Sequence, residues 1–299
     1  MLLLAFDTST MGNASVSLCT EHELLCEYTW LAGNNNHSID LFAAIQRIMA
    51  ERHVTLPQLD AIAVAIGPGS FNGLRVALST AKGLAFALGK PLLGISTLEL
   101  IAAGQAHWQG PVCALQEAGR SELYAACYCF VPRHGQDGLL TYRPQQLGEY
   151  QVLTGPQLND YLRSHVQEWA AASAASERRP EDGGQRFLEH NASAVEDATP
   201  RFLFCGEIRA ATRQTLLALL PQSLFLDALS STRHASLLAQ LAVQRLQDGL
   251  EDDPVSLEPL YLRRPSITRS TRKQPLFAGI VERSDGHDMI EREDGALRH

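Results

Sequence analysis

The order of apolar patterns predicts an α/β protein built as two lobes. Three observations lead there. The chain opens with three short strand patterns followed by helix, strand, helix, strand, helix. A second series of strand and helix patterns begins near Gln109. The length of 299 residues, 45% of them apolar, exceeds one domain of roughly 100 to 200 residues and supplies a sizeable core.

In the first lobe, Leu2 to Phe6 is an apolar run, Ala14 to Cys19 alternates small polar with apolar residues, and Leu24 to Trp30 is rich in strand formers. Together they read as an antiparallel meander. Ile39, Phe42, Ile45 and Ile48 or Met49 then recur at spacings of three and four, which predicts a helix with Ser38 as N-cap. Ala61 to Ile66 is a continuous apolar run that fits a buried strand, and it ends at Gly67-Pro68-Gly69-Ser70. From Gly73 to Leu88, Leu74, Ala77 or Leu78, Ala81, Leu84 or Ala85, and Leu88 track one helix face. Pro91 to Ile95 predicts another strand, and Leu98 to His107 another helix. This is the element order of one half of an actin-like (ASKHA, ribonuclease H-like) molecule, which places the first lobe at residues 1–108.

The second lobe is expected over residues 109–265. Val112 to Leu115, Glu122 to Phe130 and Phe202 to Cys205 read as strands, and Pro156 to about Ala171 as a helix. His234 to Asp248 is amphipathic, with Gly249 placed to end it and Leu238, Leu241, Ala242 and Leu246 expected to seal the second lobe's core. Residues 172–200 are small and polar, with too little apolar area to offset ordering entropy, so a flexible insert is expected. From Ser266 a basic run, Arg269, Arg272 and Lys273, precedes the apolar Leu276 to Val281 and an acidic stretch. A disordered tail over 266–299 is the simpler reading; docking of its short apolar run on a partner is the other.

A net charge of -8 argues against a chain that wraps nucleic acid unaided, so a partner is expected to carry the positive charge for any RNA. The six cysteines form no Cys-x-x-Cys pair and read as buried reduced thiols rather than metal ligands. The apolar start reaches Asp7 at once without a basic leader, and no run approaches the ~20 apolar residues of a membrane helix. A cytoplasmic chain without a membrane segment is expected.

Two turns could carry chemistry. Asp7-Thr8-Ser9-Thr10 joins two strands, placing an acid and hydroxyls where phosphate and metal sit in nucleotide-binding folds of this class; the same residues also suit an ordinary hairpin. Gly67-Pro68-Gly69-Ser70-Phe71-Asn72-Gly73 enters a helix, whose free N-terminal amides and flanking glycines suit an anion, or simply a sharp strand-to-helix turn. The phosphate-site candidates are therefore Asp7, Thr8, Ser9, Gly67, Gly69, Ser70 and Gly73. The segment is not a P-loop.

Gly67 to Arg75, followed by Lys82-Gly83-Leu84-Ala85 and Gly94-Ile95-Ser96-Thr97-Leu98, resembles the signature of the TsaB (YeaZ) family. Supporting matches are Leu4 to Ser9, His37-Ser38, Ala118 to Ala125, and Pro259-Leu260-Tyr261-Leu262-Arg263. The chain departs from the family at Asn72, where threonine is usual, and has Glu117 near a usual aspartate. The resemblance implies a pseudo-enzyme in tRNA threonylcarbamoyladenosine synthesis, partner of the TsaD transferase, with TsaE and tRNA in the larger assembly and a homodimer when alone. TsaD proteins hold their metal through His-x-x-x-His; here none of the ten histidines has another four positions away. No metal ligand, catalytic residue or intrinsic cofactor is therefore expected, and ATP or ADP is expected only at or near the partner interface. No protease motif is present either: neither His-Glu-x-x-His nor Gly-x-Ser-x-Gly occurs.

A chain of this kind acts by holding a related domain in its competent conformation. The partner surface is expected on two neighbouring helices, at Ile39, Phe42 and Ile45 and at Leu74, Ala77, Leu78, Ala81, Leu84 and Ala85. The same residues also suit helices that only cover their own sheet. The rival readings are an actin-like ATPase or kinase, and a regulator that works through the tail.

Overall fold

The computed structural model describes residues 1–10, 12–31, 37–134, 138–176, 201–221, 223–227 and 230–263. The expected tail at 266–299 lies outside them. So does most of the expected insert, but residues 172–176 are helical and correct its start.

Two five-stranded sheets share one topology. The first is ordered β3-β2-β1-β4-β5, where β1 is Leu2–Asp7, β2 Asn13–Thr20, β3 Leu24–Leu31, β4 Ala61–Gly67 and β5 Leu92–Ser96. The second is ordered β10-β9-β6-β7-β8, where β6 is Val112–Gly119, β7 Glu122–His134, β8 Leu140–Thr154, β9 Leu203–Glu207 and β10 Leu224–Phe225. In each, the first three strands form an antiparallel meander and the last two run parallel to the first. Each sheet therefore repeats the order third, second, first, fourth, fifth.

Alternation along β1 builds two cores at once. Leu4 and Phe6 face helices α1 (His37–Glu51) and α2 (Phe71–Leu88). Leu3 and Ala5 point the other way, against helix α6 (Ala235–Gln247). In the second sheet, Cys113 and Leu115 pack on helices α4 (Gly155–Ser176) and α5 (Ala210–Leu219), while Val112 and Ala114 pack on helix α3 (Thr97–Ala103). Each fully buried Leu or Phe contributes about 1.5 to 3 kcal/mol.

The position of α6 corrects one expectation. Leu238, Leu241 and Ala242 close the core of the first sheet, with Leu246 packed beside them. The first sheet's inner face is lined by Ala5, Ala61, Ala63 and Ala65, small residues that let a helix approach closely. Conversely, α3 follows a first-sheet strand yet puts Leu98, Ile101 and Ala102 into the second sheet's core. The lobes thus exchange helices, and α3 and α6 touch in the layer between them.

Helix ends follow local chemistry. Ser70 caps α2 and accepts from the Gly73 amide, while Gly89 closes it in the left-handed region at φ 63°. Ser96 caps α3, which ends at Ala103 with Gly104 as its C-cap, four residues short of the expected His107. Ser38 lies inside α1 rather than capping it, because the helix begins at His37. All six cysteines are free thiols, five of them buried. Cys113 and Cys127 face each other across β6 and β7 with Sγ atoms 2.9 Å apart, and burial pushes the Cys113 thiol well above its ordinary range.

Candidate functional site

The two turns singled out in sequence meet at the C-terminal end of β1. Ser9 N donates to Asp7 Oδ1 at 2.7 Å, Thr8 Oγ1 donates to the Gly73 carbonyl at 2.8 Å, and Ser70 N donates to the Ser9 carbonyl at 2.5 Å. Two glycines make this contact possible. A Cβ on Gly73 would stand 1.9 Å from the Thr8 carbonyl oxygen, and one on Gly69 would stand 2.2 Å from that of Ser9. Gly67 has φ 110° at the end of β4, with Leu260 O 3.2 Å from where its Cβ would be. The glycines let two backbones meet.

Residues far along the chain complete the cluster. Arg233, in the segment entering α6, is 3% exposed and Asp7 is 1% exposed. The Arg233 guanidinium places Nε 3.5 Å from Asp7 Oδ2, donates from Nη1 to Ser9 Oγ at 2.9 Å, and reaches Glu207 Oε1 from Nη2 at 3.2 Å. Thr10 Oγ1 donates to Glu207 Oε2 at 3.1 Å, and Thr97 Oγ1 to Ser9 Oγ at 3.2 Å. Gly206, at φ 118°, brings the end of β9 so close to β6 that a Cβ would lie 2.0 Å from the Leu115 carbonyl oxygen.

Sequence reading missed Arg233, Glu207 and Thr97. Glu207, which follows Gly206 at the end of β9, delivers a carboxylate to the cluster. A phosphate does not fit the Asp7 turn as it is packed. The Ser9, Ser70 and Gly73 amides already have partners within the cluster, and the acid faces a guanidinium. Among the described residues no group of three or more His, Cys, Asp or Glu is placed to hold a metal; the side chain of His37 lies outside them. No helix among them is long and apolar enough to cross a membrane.

The two departures from the family pattern have different settings. Asn72 is exposed in the first turn of α2. Glu117 Oε1 accepts from Arg209 N at 3.1 Å and Thr212 Oγ1 at 2.7 Å, so a side chain from β6 caps α5, whose own N-cap residue Arg209 makes no capping bond. The Leu260 amide donates to Ile66 O at 2.8 Å, which fastens Leu260 beside β4.

The expected partner surface needs correction. Ile45, Leu74, Ala77, Leu78, Ala81 and Ala85 are buried, all but Leu74 within the core that α1 and α2 form on the first sheet. An amphipathic helix turns its apolar face to its own sheet, and these residues are that face. Leu84 is half-buried. What remains outward is Ile39 at 67% exposure and Phe42 at 52% on α1, with Phe86 at 83% on the adjacent α2. Ser79, Gly83 and Ala87 are exposed around Phe86, and a Cβ on Gly83 would meet nothing within 4 Å.

Two sheets of one repeated topology, with helices exchanged across the layer between them, define a two-lobed protein of the actin-like class. The family model described as TsaD, tRNA N6-adenosine threonylcarbamoyltransferase, matches residues 32–269. The protein TsaB of Bacillus subtilis is 34% identical over 131 residues, which are 43% of this chain and 55% of that protein, so the chain spans about half the length of this relative. TsaB of Escherichia coli is 28% identical over 221 residues, 68% of this chain and 94% of that protein. A crystal structure of a protein with similarity to peptidase YEAZ from Pseudomonas aeruginosa superposes with a TM-score of 0.60 at 28% identity, covering 88% of this chain and 99% of that one. YeaZ from the same organism gives 0.59 at 26%, covering 87% and 99%. The chain belongs to this family, within its TsaB/YeaZ branch.

Proposed function

We propose that the chain is a cytoplasmic, non-catalytic partner of a TsaD transferase, stabilising and activating it in the threonylcarbamoylation of adenosine next to the tRNA anticodon, with TsaE and tRNA in the larger assembly. The observation that carries the reading is the outward Ile39, Phe42 and Phe86 on the adjacent helices α1 and α2. Large apolar side chains at such exposure serve as anchors for a partner surface, and the small residues around Phe86 let a second helix come close. The same face supports a homodimer when TsaD is absent. The non-catalytic assignment draws on the internally partnered Asp7 turn and on the histidine spacing. ATP or ADP acts at or near the joint surface rather than within that turn.

Co-purification with TsaD from the same cell, followed by a threonylcarbamoyl-transfer assay with and without this chain, tests the proposal. Stable 1:1 association with transfer dependent on the chain supports it. No association, with ATP hydrolysis by the chain alone, replaces it with an actin-like ATPase.

A further inference from the structure

A guanidinium sits where two carboxylates and three hydroxyls converge. Asp7 closes β1 of the first sheet, and Glu207 closes β9 of the second. Ser9, Thr10 and Thr97 complete the oxygen set, all three buried. Hard divalent cations are held by carboxylate and hydroxyl oxygens of this kind. The Arg233 guanidinium is a cation with five N–H donors, and it touches Asp7, Ser9 and Glu207 at once. The fit is incomplete. Asp7 Oδ2 and Arg233 Nε, both buried and facing each other at 3.5 Å, make no hydrogen bond, although a bidentate arginine–carboxylate pair would satisfy both.

We propose that Arg233 is the chain's own resident cation in an interlobe oxygen site, keeping that site closed to metal ions and joining the ends of β1 and β9. Its segment is fastened independently: Gly206 N donates to Ser231 Oγ at 3.1 Å, and Gln105 Nε2 donates to the Ser230 carbonyl at 2.9 Å. Removing the guanidinium leaves the buried Asp7 carboxylate without the counter-charge it shares with Glu207, whose own side chain is exposed. A buried carboxylate in that position must take up a proton or a cation. With a second carboxylate and three hydroxyls around it, a divalent cation is the occupant the site selects. This inference does not depend on the partner reading.

The test uses the full chain. Arg233→Met replaces the guanidinium with an apolar side chain of similar length. Mn2+ uptake is counted by electron paramagnetic resonance, and thermal unfolding is followed with and without Mg2+. Arg233→Met is expected to take up one Mn2+ per chain about tenfold or more tightly than the wild type, and its melting temperature is expected to rise with Mg2+. If the variant is poorly folded without metal, Mg2+ is expected to restore its unfolding transition. Adding Asp7→Asn to Arg233→Met is expected to remove both responses. The proposal is overturned if Arg233→Met takes up no Mn2+ and is unmoved or unrescued by Mg2+, or if the double variant responds equally. It is also overturned if the wild type itself takes up Mn2+ in a manner abolished by Asp7→Asn.

Discussion

Arg245 Nη2 lies 2.6 Å from Glu99 Oε2, joining the helix packed on the first sheet to the helix packed on the second. Arg245 Nη1 also donates to the Gly94 carbonyl at 2.8 Å. Glu99 is buried, and burial raises its carboxyl above the ordinary 4.5, with Arg245 offsetting only part of the rise. A raised folded-state value means that the folded protein binds this proton more tightly than the unfolded chain. The contribution of Glu99 to stability is thus fully present below the ordinary carboxyl range and is lost as pH rises through the raised value. Glu99→Gln is expected to flatten the pH dependence of unfolding free energy above the ordinary glutamate value. Urea titrations of both proteins across acid to neutral pH check this, and parallel curves would sink it.

Two glycines of α2 are predicted to behave in opposite ways. At Gly73 a methyl group meets the Thr8 carbonyl at 1.9 Å, a contact with backbone that no rotamer relieves. Gly73→Ala is expected to cost about 3 kcal/mol, near the upper end of overpacking penalties. At Gly83, in the middle of the same helix, the added methyl meets nothing, and alanine is expected to stabilise by about 0.5 to 1 kcal/mol through helix propensity. Chemical denaturation of the two variants measures both effects; equal losses would mean that the close approach of α2 to the β1 turn is wrong.

Glu117 supplies a cap across a strand-to-helix gap of 92 residues. Glu117→Ala removes the acceptor for Arg209 N and Thr212 Oγ1, and should destabilise by about 1 kcal/mol, as for loss of an N-cap side chain. Hydrogen exchange should quicken at the start of α5 more than in α4. Unchanged protection there would deny Glu117 this role.

Much of the first lobe was readable because its patterns are local. Ala61 to Ile66 is apolar throughout because both faces of the strand are covered, Ile62 and Val64 packing with α1 and α2 and Ala61, Ala63 and Ala65 with α6. Strand β8 was missed for the converse reason. Among the described residues it is a sheet edge paired only with β7, and its Pro144, Gln145, Gln146 and Gly148 break any alternation that an edge does not need. The docking of α6 was misassigned because periodicity shows that a helix has an apolar face and not which sheet receives it. Arg233 had no local signal. It lies 224 residues from Ser9, and an isolated arginine in a polar stretch differs from a surface arginine only through such distant neighbours.

The same distinction separates buried from outward residues on α2 and gives the sharpest test of the partner face. Ala81 is fully buried, so Ala81→Arg forces a charge into the core and should cost about 4 kcal/mol or more, abolishing association only by unfolding the chain. Phe86 is almost fully solvated in the lone chain, so Phe86→Asp should shift stability by less than about 1 kcal/mol. If α1 and α2 form the partner surface, Phe86 is an anchor there, and its loss should weaken association with TsaD by about thirtyfold or more, the scale of a hot-spot residue. Phe42→Asp should act in the same direction, since Phe42 lies outward on the neighbouring helix. Calorimetric titration against TsaD, with melting curves of each variant beside it, separates the two effects. Normal folding with undiminished binding in both phenylalanine variants would place the interface on another face of the molecule.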